Sequence, residues 1–146
     1  MKSHKDIMKM PLYQKAELII DLVESLYATL PEDDFMVQAT KEFMMEDAML
    51  LASKIAGAEG GDFYDIRMQN AAIIREHAMH LYVQVGSLRF HENYADVEYV
   101  ELIRKEIDNF RELFIEWVQG FDTSNYIWDP WELFNPPGAI KPSYDD

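Results

Sequence analysis

Cysteine is absent from the 146-residue chain. Without a thiol there is no disulfide framework, no cysteine nucleophile and no cysteine-ligated zinc or iron–sulfur centre. No apolar run approaches the roughly 20 residues needed to cross a bilayer. The opening Met1-Lys2-Ser3-His4-Lys5-Asp6 also lacks the apolar stretch and small-residue cleavage site of a secretion signal. A soluble, cytoplasmic protein without membrane contact is the expectation. Basic residues are scarce as well: 13 Lys and Arg stand against 27 Asp and Glu, a net charge of −14. Such a field repels phosphate backbones and anionic lipid, and no basic cluster offsets it locally. The charge argues against direct binding of nucleic acid.

What is present is helical periodicity, in a chain long enough for one well-filled domain. Leu12, Ala16, Ile19, Val23, Leu26 and Leu30 follow a 4-3-4-3-4 spacing and make one apolar stripe. Pro11 falls in the first turn of that helix and Pro31 ends it. Pro31 to Asp34 form the connection, with Asp34 as N-cap of a second helix running from about Phe35 to about Ala56. Gly57, Gly60 and Gly61 mark the next turn, and Asp62 is the expected N-cap of a third helix reaching about His91. Its stripe is Ala71, Ile74, Ala78, Leu81, Val85 and Leu88. A fourth helix from about Ala95 has the cleanest heptads: Val100, Ile103, Ile107, Phe110, Phe114, Trp117 and Phe121. Short connections between amphipathic helices imply antiparallel neighbours. The pattern predicts an all-α, up-down-up-down four-helix bundle over residues 1–121, with an aromatic, proline-rich C-terminal extension over 122–146.

The second helix is apolar around most of its circumference. Met44, Ala48, Leu51 and Ile55 form one stripe, and Met45, Met49, Ala52 and Ala56 form another beside it. A helix of that kind has to be covered on more than one side. Either it lies deep within one chain, or the second stripe joins another copy in a homo-oligomer; methionine suits both roles. The extension poses a similar choice. It carries prolines 130, 136, 137 and 142, Gly138 and the acidic Asp145-Asp146, yet also Tyr126, Ile127, Trp128, Trp131, Leu133, Phe134 and Tyr144. Disordered tails are usually poor in aromatics. This segment therefore either packs on the bundle or a neighbouring subunit, or presents Trp128, Trp131 and Phe134 as anchors for a protein partner.

Candidate chemistry is sparse. Glu76 and His80 share a helix face at ligand spacing, with His77 beside them. A di-iron bundle needs Glu-x-x-His on two helices, and none occurs here. Asn70, His77 and Gln84 recur every seven residues beside the third apolar stripe, as register-setting or merely boundary positions. Glu98 with Glu101, and Asp62 with Asp65, resemble the paired acids with which all-helical nucleotide pyrophosphohydrolases hold magnesium. Asp62 is better explained as a cap, and Glu98 and Glu101 as solvated faces flanking Val97 and Val100. The glycines at 57–61 lack the Lys-Ser/Thr ending of a phosphate loop. No catalytic residue and no cofactor follow from these patterns.

Three stretches resemble the small four-helix-bundle proteins encoded in intervening sequences of large ribosomal RNA genes, a family that includes the accessory variability protein of diversity-generating retroelements. They are Pro11-Leu12-Tyr13-Gln14-Lys15-Ala16-Glu17-Leu18 with the closing Leu30-Pro31, then Lys54-Ile55-Ala56-Gly57, then Asp62-Phe63 leading to Ile73-Ile74-Arg75-Glu76. The likeness spans roughly residues 11 to 119. It implies a non-enzymatic protein that assembles as a ring-like pentamer. Members of that family that engage nucleic acid carry basic residues on the second helix, where this chain has Glu42-Phe43-Met44-Met45-Glu46-Asp47. Engagement of RNA or a reverse transcriptase is therefore not carried over. The expectation is a non-catalytic homo-oligomeric scaffold or adaptor for another protein; the alternative is a metal-dependent enzyme, a nucleotide hydrolase or metal-binding bundle.

Overall fold

The computed structural model describes residues 2–90 and 96–143. The expected boundaries at His91 and Ala95, and Tyr144, Asp145 and Asp146 of the extension, lie outside those residues. The described chain is all-helical, without a strand among the described residues. Its helices are α1 (His4–Met8), α2 (Pro11–Thr29), α3 (Phe35–Glu59), α4 (Tyr64–Ser87) and α5 (Val97–Gln119), with a 3-10 turn at Leu88–Phe90. Among the described residues no helix is long and apolar enough to cross a membrane.

The four long helices are neighbours in chain order, and α5 returns against α2. Cross-links give the senses. Lys15 meets Glu106 at 2.7 Å and the Tyr99 hydroxyl donates to the Leu22 carbonyl, so α2 and α5 run in opposite directions. Asp47 meets His77, and Arg89 just beyond α4 meets Glu101, which sets α3 against α4 and α4 against α5 in the same way.

The main stripe of each long helix forms part of one shared core. The stripe of α2 and the stripe Met44, Ala48, Leu51 and Ile55 of α3 are buried throughout. On α4 only Ala78 of its stripe is half-buried, and on α5 burial is complete from Val100 to Phe110 and eases at Phe114 and Trp117. Burying a large aliphatic side chain contributes about 1.5–3 kcal/mol. These faces, rather than helix propensity, hold the elements together.

The ends depart from the sequence reading at three places. Helix α1 was not expected: five residues are too few to show a period. It is started by Ser3, whose hydroxyl accepts from the Asp6 amide, and held by the buried Ile7. Helix α3 continues through Gly57 to Glu59, so only Gly60 and Gly61 lie in the turn. A mid-helix glycine normally costs about 1 kcal/mol. Here a Cβ on Gly57 would meet the Asn70 side chain of α4 at 3.5 Å, an ordinary packing distance, so the space beside it would admit alanine. Asp62 is not the N-cap of α4; Phe63 is, with no side-chain bond. The Asp62 carboxylate instead faces Arg67 at 3.3 Å. Asp34 caps α3 as expected, accepting from the Met36 and Val37 amides, and Asp96 caps α5.

Candidate functional site

The C-terminal extension is fastened where α3 turns into α4. Glu59 ends α3 with its side chain 1% exposed, and three donors converge on it: Trp117 Nε1 at 2.6 Å, Lys2 Nζ at 3.3 Å and Arg67 at 3.5 Å. Arg67 also donates from Nε to the Gly61 carbonyl and lies over the Phe121 ring. The turn so fixed offers backbone groups to the tail. The Asn125 carbonyl accepts from the Tyr64 amide at 2.8 Å, and the Asn125 side chain donates to the Asp62 carbonyl. Asp65 accepts from the Ile127 amide at 2.9 Å. Residues 125–127 are thus part of the helical body.

Beyond them the chain folds on itself around Asp129. Its carboxylate accepts from the amides of Trp131, Leu133 and Phe134 at 2.9, 3.0 and 3.0 Å. Asn135 closes the loop, accepting from the Asp129 amide and donating to its carbonyl. Glu132 takes a left-handed backbone (φ 53) to fit, a conformation uncommon outside glycine and local to such turns. The amides of Phe134 and Trp131 lower the Asp129 pKa from its ordinary value.

On this loop Trp131 is 89% exposed and Leu133 72% exposed. Trp128 and Phe134 are only half-buried and line a hollow against Asp65 and Gln69 of α4. Of the three expected anchors, Trp131 therefore stands free while Trp128 and Phe134 lean toward the body. Leu133, exposed beside Trp131, was not among the expected anchors, and no periodic signal in the sequence marks it.

The second stripe of α3 is divided. Ala52 is buried by its own chain, Met45 and Ala56 are half-buried, and Met49 is 58% exposed. Phe43 and Met36 are also exposed apolar residues of this helix. Between α4 and α5 runs an apolar groove of about 480 Å³, with Phe110 and Tyr82 within it and Met79, Val83 and Ile115 on its exposed flanks.

The heptad polar residues gather on the α3–α4 seam: Asn70 against Gly57, and His77 against Asp47 with Nδ1 2.6 Å from Oδ1. Gln84 keeps a buried side-chain oxygen with no partner. Glu76 is exposed and lies outside this group, so the expected Glu76–His80 pairing is replaced by Asp47, His77 and His80. The paired acids do not come together. Asp62 precedes α4 and Asp65 lies in its first turn, and Glu98 and Glu101 start its antiparallel neighbour α5 at the other end of the molecule. Asp65 and Glu101 are also engaged separately, by Ile127 and Arg89.

The chain matches no known family, no curated protein and no solved structure at a significant level.

Removing the Asp129 carboxylate is expected to free the loop and leave the helices intact. Asp129→Ala should speed amide exchange at Trp131, Leu133 and Phe134 while far-ultraviolet dichroism stays unchanged. The pH dependence follows from the lowered folded pKa: the stabilisation is complete above the ordinary carboxyl range and is lost as pH falls through the depressed value. Protection that disappears already at the ordinary carboxyl range would contradict the assigned hydrogen bonds.

Proposed function

We propose that the chain is an up-down-up-down four-helix bundle acting as a non-catalytic, homo-oligomeric scaffold or adaptor that binds another protein. The observation that carries this reading is the Asp129 loop, which holds Trp131 and Leu133 outward on a backbone already fixed by hydrogen bonds. Anchors that need little ordering lose little entropy on binding, and tryptophan is one of the side chains enriched among interface hot spots. Self-association draws on a different surface, the exposed Met49, Phe43 and Met36 of α3. The acidic surface directs the choice of partner toward a basic or neutral protein face rather than nucleic acid.

Light scattering over a concentration series, on the chain and on Trp131→Ala/Leu133→Ala and Met49→Lys variants, tests both limbs. A multimer that Met49→Lys dissociates supports assembly through α3. The loop variant should keep that mass and lose the partner found by proximity labelling in cells. A plain monomer throughout sinks the scaffold, and an unchanged partner set for the loop variant sinks docking through the loop.

A further inference from the structure

Asp47 on α3 and His77 and His80 on α4 form a cluster that the scaffold reading does not use. One donor atom from each lies within 4.8 Å of the other two. His77 and His80 are three apart on one helix, their ring centroids 6.1 Å apart and nearly perpendicular. Asp47 reaches them from the neighbouring helix. We infer that these three side chains bind a divalent transition-metal ion of the zinc class, with water completing the coordination, and that the ion ties α3 to α4.

The donor set selects the metal. Two imidazoles and one carboxylate suit Zn²⁺, Co²⁺ or Ni²⁺, whereas Mg²⁺ and Ca²⁺ prefer oxygen alone. Donors around a tetrahedral zinc lie about 3.3–3.5 Å apart at ordinary zinc–ligand distances. Closing the observed spacing takes movement of up to about 1.5 Å, and the exposed His80 is free to supply it. The two inner side chains are held by the protein, Asp47 8% and His77 22% exposed, and their 2.6 Å hydrogen bond opens to the donor separation above when both take the ion.

The burial of Asp47 is the second observation. Among the described residues its sole hydrogen-bond partner is His77. A carboxylate taken so far from water is costly unless positive charge faces it. No lysine or arginine among the described residues pairs with it, and the imidazole beside it is a donor that a cation can share. The ion would supply the missing charge, and the surrounding net charge of −14 raises the local concentration of cations. His80 at the outer edge leaves a path for the ion to enter. None of this depends on the chain being a scaffold.

The test uses the untagged, full-length chain stripped by chelator and titrated calorimetrically with Zn²⁺. One ion per chain is expected, with a raised melting temperature, and Co²⁺ in the same site should give a visible absorption band of low-symmetry nitrogen coordination. His80→Ala folds normally because its side chain is exposed, and it should weaken Zn²⁺ binding more than about tenfold, the least that loss of even an outer partner costs. It should also abolish the thermal shift. Excess Mg²⁺ should not compete. Absence of binding, undiminished affinity in His80→Ala, or displacement by Mg²⁺ would each overturn the assignment.

Discussion

Replacing Arg67 with methionine is expected to cost about 3 kcal/mol, at the lower end of the range for breaking a buried ion pair. The expectation comes from Glu59, whose carboxylate is nearly inaccessible and depends on Arg67, Lys2 and Trp117. Lys2 remains in the variant and limits the loss. For a chain of this size that corresponds to a fall in melting temperature of roughly 6–12 °C. Lys2→Ala should cost less than about 1 kcal/mol, because its half-exposed ammonium is screened by water. In a Glu59→Gln background the Arg67 substitution should lose most of its effect, since no buried charge is then left uncompensated. Urea unfolding of the four proteins measures the coupling. The variant should also loosen the tail, because Arg67 holds the Gly61 carbonyl and Asp62, and the backbone of Asp62 and Tyr64 carries Asn125. A cost under about 1 kcal/mol for Arg67→Met would show that the cluster does not lock this end of the molecule.

The helices were legible because their signal is repetitive. Every residue of the α2 stripe, from Leu12 to Leu30, is buried, and the α5 heptads run buried as far as Phe110. The misreadings fall where local punctuation does not decide where an element ends. Gly57 looks like a stop signal, yet α3 runs on through it to Glu59. Asp62 looks like a cap, yet Arg67 one turn later takes its carboxylate. The metal cluster was half visible: His77 and His80 stand together in sequence, but Asp47 is 30 residues away and only the antiparallel pairing of α3 with α4 brings it there. Periodicity alone does not separate the members of the second stripe of α3: it treats Ala52 and Met49 alike, although the single chain buries the first and exposes the second. The loop around Asp129 was least accessible, because its order comes from side-chain to backbone bonds that have no period.

Phe110→Ala should be at least as damaging as the loss of Arg67, at about 3–5 kcal/mol. Phe110 is 2% exposed and stacks on Phe114 with ring centroids 6.4 Å apart. Phe114 then meets Trp117, which meets Phe121 edge-on at 4.8 Å. Truncation removes the buried end of this ladder and extends the α4–α5 groove into the core. Val83→Ala, on the exposed flank of the same groove, should stay within about 0.5 kcal/mol in an isolated chain. The two variants together ask what covers the groove. If the Val83 cost approaches that of Phe110, and the unfolding midpoint rises with protein concentration, a second copy seals this face and the α4–α5 groove belongs to the assembly interface. If only Phe110 matters, the groove stays open in solution, and a midpoint that still rises with concentration then assigns self-association to α3, whereas a concentration-independent midpoint means no self-association through either face.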